Sequence, residues 1–330
     1  MLRLQAGEFS ALVSRLGATL VSFFVPDGHG RVVDLLLGPD SEPDRAPDPF
    51  YFGCIIGRVA GRISGSRFTL NDKTYRLDSN EGVNHLHGGV KGFNKCYWDS
   101  KLDSSSEESK LRLSLISPDG DQGYPSRLDV TVTYLLSAQG RLEIRYEARS
   151  DGDTVINLTN HAYFNLGGDA CENILDHRLS LRCSRYIATR PDLIPTGEIA
   201  TVESSPLDFR SGKRLGNGLT ELPPVPGGPG YDHCLLLDRS GPGLFSFAEL
   251  VEPISGRSLS VSTTFPAVQV YSGNFLDGVR GKGGKEYRKY AGLCLETQGY
   301  PDAVNNPSFP SMLLRKDEDW IHRTVFEFRH

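Results

Sequence analysis

The chain has 330 residues, 38% of them hydrophobic and 23% charged, and a formal net charge of −5. That length can bury a large core, and the acidic balance argues against a nucleic-acid partner, which calls for a basic face. No apolar run approaches the ~18 residues of a membrane span, and no leader pattern follows Met1-Leu2-Arg3, so no membrane partner is expected. Six scattered cysteines (Cys54, Cys96, Cys171, Cys183, Cys234 and Cys294) form no C-x-x-C pair. They read as reduced thiols, which makes the cytoplasm the expected location.

Short apolar stretches alternate with polar residues along the chain. Residues 68–70 and 74–77 flank Asn71-Asp72-Lys73 and predict a hairpin. Residues 112–116 alternate at period two. So do residues 128–135 and 142–148, which are joined by Ser137-Ala138-Gln139-Gly140 and predict a second hairpin. Residues 258–262 repeat the pattern. No window sustains a 3.6-residue apolar stripe over twelve positions, while 36 glycines and 20 prolines suit many tight turns. The expectation is an all-β fold, a large β-sandwich with long loops and little helix, forming one domain over residues 1–330. The Pro/Gly stretch at 221–230 reads as a loop crossing a sheet edge or as a hinge.

No phosphate loop, nucleophile elbow or dinucleotide fingerprint is present, and Gly281-Lys282-Gly283-Gly284-Lys285 reads as a flexible surface loop. In Asn84-His85-Leu86-His87-Gly88-Gly89, a strand would turn His85 and His87 to one side, a possible metal pair, although no third ligand shows at a suitable spacing. Residues 156–166 set Asn157, Asn160 and Asn165 around His161. Buried amides there must either satisfy one another or line a polar pocket. In Leu293-Cys294-Leu295-Glu296-Thr297-Gln298 a carboxylate interrupts an apolar strand. It either faces solvent or sits in a cleft as a general base. Asp232, in Gly230-Tyr231-Asp232-His233, either binds hydroxyls or caps a turn. An acid/base pair with neutral hydrogen-bonding groups suits proton transfer on a polar, uncharged substrate.

These segments, in order along nearly the whole chain, resemble the aldose 1-epimerase (galactose mutarotase) family. The resemblance is carried by Gly17-Ala18-Thr19-Leu20, Gly57-Arg58-Val59-Ala60-Gly61-Arg62-Ile63, Leu86-His87-Gly88-Gly89 and residues 157–166. It continues through Gly230-Tyr231-Asp232-His233, Val270-Tyr271-Ser272-Gly273-Asn274-Phe275, Leu295-Glu296-Thr297-Gln298 and Pro301-Asp302-Ala303-Val304-Asn305. It implies a mutarotase-like sandwich that interconverts the α and β anomers of a free aldohexose such as glucose or galactose. It implies neither metal nor cofactor, and a monomer or homodimer. By the same resemblance Glu296 is the base at the anomeric O1 and His161 the acid at the ring O5. His87, Arg62, Asp232 and Gln269 bind the sugar. Two positions depart from the family pattern. Gly61 stands where Asn is common and His85 where a small polar residue is usual, and both are expected to bear on sugar preference. An alternative substrate, a phosphorylated hexose, would need a cationic clamp, for which Arg58, Arg62 and Arg67 are close in sequence. A sugar-binding module without catalysis is the alternative outside enzymes.

Overall fold

The computed structural model describes residues 1–26, 31–40, 48–168, 171–222 and 227–329. Four short N-terminal strands, Leu2–Ala6, Phe9–Val13, Leu20–Pro26 and Val32–Asp34, form an antiparallel meander. Beside it stands a nine-stranded antiparallel sheet. Its first four strands in spatial order are Asp99–Ser104, Glu108–Ser117, Leu128–Ser137 and Arg141–Ser150. Next comes Trp320–Arg329, which lies between Arg141–Ser150 and Ser258–Thr263, followed by Phe245–Val251, Arg178–Leu181 and Lys213–Arg214. A six-stranded sheet runs Tyr163–Phe164, Leu293–Gln298, Ala267–Tyr271, Asp232–Leu236, Arg185–Thr189 and Pro195–Thr201. The described helical segments are single 3₁₀ turns of three residues. No helix among the described residues is long and apolar enough to cross a membrane.

Alternation explains the packing. In Leu128–Ser137, the side chains of Leu128, Val130, Val132, Tyr134 and Leu136 are buried, while Asp129 is exposed. In the six-stranded sheet, Val268, Val270, Leu293 and Leu295 enter the same apolar core as that hairpin and as Phe326 and Phe328. Phe164 meets Phe326 with ring centroids 5.1 Å apart, and Thr297 shares a hydroxyl contact with Thr324, so the two sheets pack face to face. Burying each such side chain is worth about 1.5–3 kcal/mol, which leaves the other face of the six-stranded sheet free to carry polar groups.

Both predicted hairpins form. Arg67–Leu70 pairs with Lys73–Arg76 across Asn71 and Asp72, which adopt φ values of 49° and 59°. The turn is therefore two residues long, with Lys73 already in the strand, as the twist of a tight hairpin favours. Residues 128–137 pair with 141–150, closed by the turn expected at 137–140. One expectation fails. Lys282 does not belong to a free surface loop. Its ammonium is held by the carbonyls of Val21 and Leu36, the Ser22 hydroxyl and the Asp34 carboxylate, clasping residues 281–285 to the N-terminal meander. Residues 156–166 contain two short strands, Thr159–Asn160 and Tyr163–Phe164, paired with different partners on either side of His161. Of the Pro/Gly stretch, residues 223–226 lie outside the described residues.

Candidate active site

Glu296 stands on the second strand of the six-stranded sheet, where every residue from Leu293 to Gln298 is buried. Period two sends Leu293 and Leu295 into the core and turns Glu296 and Gln298 to the opposite face. Glu296 is 2% exposed, so it does not project into solvent. Register then builds a row across the sheet: Glu296 lies opposite Gln269, and Gln269 opposite Cys234. Asp232, at the first position of its strand, faces the same way, and Gln269 Nε2 donates to Asp232 Oδ1 at 2.6 Å. Asp232 is thus an acceptor on the sheet face and not a turn cap. These side chains floor a cleft of about 260 Å³.

His161 enters from the wall. Its backbone is pinned on both sides, with its N–H donating to Cys54 O and its carbonyl accepting from the Gly53 N–H. The ring lies between Tyr51 and Tyr163, at centroid distances of 5.9 and 5.1 Å. That places Nε2 3.6 Å from Glu296 Oε1, with both side chains almost fully buried. The three asparagines around His161 direct their amide N–H groups to backbone carbonyls, while Asn160 Oδ1 finds no partner among the described residues. Asn157 donates to Ala60 O, Asn160 to Gly53 O, and Asn165 to the carbonyls of Cys171 and Ala291. They hold the wall up and do not line the cleft.

His87 follows the two-residue strand His85–Leu86 and takes a φ of 52°, which ends the alternation. His85 therefore does not share a face with His87. It is buried, with Nδ1 against Asp78 O and Nε2 against the Tyr124 hydroxyl, and it does not line the cleft. The expected metal pair and the expected effect of His85 on sugar preference both lose their geometric basis. His87, Glu296 and His161 instead offer ligand atoms within 4.8 Å of one another. The tautomer argues against a metal there. The Gly61 N–H donates to His87 Nδ1 at 3.2 Å, which leaves the proton of the neutral ring on Nε2. A protonated nitrogen donates hydrogen bonds and does not ligate, so His87 presents an N–H donor.

Gly61 lines the cleft at a φ of 76°, and its backbone serves as the donor that sets His87. Gly88, next to His87, has a φ of 84°, and a Cβ there would lie 1.7 Å from Gly57 O. Gly88→Ala must therefore displace backbone. It is expected to cost on the order of 4 kcal/mol, read as a lower urea midpoint at unchanged slope. An unchanged midpoint would show that the turn is not as tightly held as drawn.

Arg62 enters from the strand Arg62–Ile63, paired with His85–Leu86. Its guanidinium is gripped by Glu81, Nε to Oε2 and Nη2 to Oε1, both at 2.6 Å. Arg58 and Arg67 do not join it. Arg58 is buried against the carbonyls of Ser117, Pro118, Pro125 and Ser126, and Arg67 is exposed away from the cleft. The cationic clamp for a phosphorylated sugar is thus not assembled.

Burial sets the charge states. It lifts Glu296 well above the usual carboxylate range, with the neighbouring Asp232 adding to it and Arg62 opposing. It lifts Asp232 too, against Arg62 and the Gln269 hydrogen bond. It pulls His161 down to about 4, and His87 well below its ordinary value with help from His161 and Arg62. Burial lowers Arg62, but the Glu81 hydrogen bonds together with the charges of Asp232, Glu81 and Asp192 outweigh this and hold it above its ordinary value.

The sequence profile described as Aldose 1-epimerase matches residues 1–327. The chain belongs to the aldose 1-epimerase family. It is 42% identical over 327 residues to the galactose mutarotase of Bos taurus, covering 99% of this chain and 93% of that one. It is 36% identical over 332 residues to the aldose 1-epimerase of Escherichia coli (strain K12), covering 99% and 94%. The crystal structure of an aldose epimerase homologue from C. elegans superposes with a TM-score of 0.92 at 29% identity, covering 100% of this chain and 98% of that one. The six site residues implied by the family resemblance, Glu296, His161, His87, Arg62, Asp232 and Gln269, all line the cleft. Sequence reasoning missed Tyr51, Glu81 and Tyr271, which line it as well. Tyr51 takes a φ of 59°, rare for an aromatic residue, and packs edge-on against His87 at 4.8 Å. Burial pushes its phenol up to about 12, so it stays protonated.

Proposed function

We propose that this chain interconverts the α and β anomers of a free aldohexose, with Glu296 as the base at O1 and His161 as the acid at O5. The observation that carries the reading is the 3.6 Å approach of His161 Nε2 to Glu296 Oε1 at the floor of the cleft. O1 and O5 are bonded to the same carbon, so a base and an acid serving them must lie within a few ångströms of each other.

Ring opening removes the proton from O1 as C1–O5 breaks and O5 gains a proton. Rotation about C1–C2 then presents the other face of the aldehyde, and reclosure reverses both transfers. No covalent intermediate is needed. Burial favours a neutral resting pair, with the carboxyl protonated and the imidazole neutral. The working pair, carboxylate and imidazolium, holds the same single proton. Passing between the two requires an internal shift and no exchange with water. Sugar hydroxyls donating to Glu296 stabilise its carboxylate form. Asp232 accepts from further hydroxyls, oriented by Gln269, while His87 Nε2–H and Arg62 donate. Arg62→Ala should raise KM on the order of tenfold with a smaller change in kcat, the scale of one charged hydrogen bond.

Six free cysteines suit a reducing compartment such as the cytoplasm. The activity test is polarimetry of freshly dissolved α-galactose and α-glucose. Equilibration should accelerate in proportion to protein added, and a rate equal to that of buffer would overturn the reading.

A further inference from the structure

Among the described residues lining the cleft, Arg62 is the only lysine or arginine, whereas Glu81, Asp232 and Glu296 are carboxyl groups. Glu81 spends two of the three guanidinium nitrogens of Arg62 in a parallel fork at 2.6 Å, the geometry that best matches the two charges. Nη1 makes no hydrogen bond to the described residues and is left to donate to substrate as a neutralised group. Glu81 itself remains about one-third exposed at the cleft mouth, while Arg62 is more deeply set. The carboxylate is therefore the more accessible of the two charges. For a neutral polyol the same fork only fixes where Nη1 points.

We propose that Glu81 is a specificity-determining residue: by matching the charge of Arg62, it denies the cleft a free cation and so excludes sugars carrying a carboxylate or phosphate. The proposal rests on the mutarotase reading and adds to it the class of sugar that is turned away. Glu81→Gln keeps the size of the side chain and one acceptor for Arg62 while releasing a full positive charge into the cleft.

The experiment compares kcat/KM for α-galactose, α-galacturonate and α-glucose 6-phosphate in the wild type, Glu81→Gln and Glu81→Asp, each corrected for the spontaneous rate. The wild type should prefer galactose over both anions. In Glu81→Gln that preference should shrink on the order of tenfold, the scale of one unit charge acting in a partly solvated cleft. Its galactose KM should rise severalfold as Arg62 loses its fork. Glu81→Asp, which keeps the charge, should retain most of the wild-type preference. The gain for anions in Glu81→Gln should fade in 0.5 M salt, which a loss of packing alone would not do. Equal wild-type rates on galacturonate and galactose, or a preference unchanged within twofold in Glu81→Gln, would overturn the proposal. Absence of wild-type galactose turnover would instead overturn the mutarotase reading beneath it.

Discussion

Glu296→Gln should leave a folded protein that has lost ~10²–10⁴-fold of its catalysed mutarotation, the usual worth of one positioned proton-transfer group. The substitution nearly preserves volume, and burial already holds this group toward its neutral form, so the sheet face has little reason to rearrange. What disappears is the capacity to take a proton from O1. Because Gln still offers an oxygen and an N–H to hydroxyls, KM should move little and the loss should appear in kcat. The pH profile gives an independent check. In the proposed reaction the Glu296–His161 pair carries one proton. Below about 4, His161 gains a second proton and no base remains. On the alkaline side the raised Glu296 group finally ionises without a proton left for O5. Wild-type kcat/KM should therefore fall on both sides of a plateau, whereas the residual activity of Glu296→Gln, left to protonated His161 alone, should already decline above about 4. Near-wild-type turnover in that variant would remove Glu296 from the role.

His161→Asn should cost kcat a comparable ~10²–10⁴-fold, because an amide can donate a hydrogen bond to O5 but cannot give up the proton. The two effects should not add. With either partner gone, the single shared proton has no second site, so the double variant should be little slower than the worse single one. The ring sits between Tyr51 and Tyr163, so its removal also loosens packing, and a modest fall in thermal midpoint is expected. Galactose KM separates the two consequences: loss of the acid leaves it near wild type, whereas collapse of the wall raises it through His87, whose ring touches His161 at 5.6 Å. A double variant slower than the worse single one by the full product of both losses would argue that the residues act independently.

The strands were legible wherever one face is buried and the other wet, as in residues 128–150, because alternation is then enforced by the core. Glu296 was legible as an anomaly, a carboxylate in an apolar run, but its surroundings were not. Whether such a residue meets solvent or a cleft depends on strands hundreds of residues distant. The failures have a common cause in backbone that leaves regular geometry. His85 and His87 diverge because the strand stops at Leu86 and His87 turns to a positive φ. Glu81 lies in an irregular turn among Ser, Asn and Gly, where an acid looks solvated, and its partner Arg62 is nineteen residues away. Lys282 looked free because the carbonyls that hold it belong to residues 21 and 36. The family resemblance pointed to Glu296 and His161 but gave no notice of Glu81.

The strand Trp320–Arg329 occupies the middle of the nine-stranded sheet, hydrogen-bonded to Arg141–Ser150 on one side and Ser258–Thr263 on the other. During synthesis at about 5–20 residues per second, both neighbours leave the ribosome well before it does. Until residues 320–329 emerge, the sheet consists of two halves with bare edges, and the floor bearing Glu296 has no complete layer behind it. The nascent chain therefore spends seconds displaying pairable strand edges, a period in which a chaperone would serve it and a stalled ribosome would expose it to aggregation.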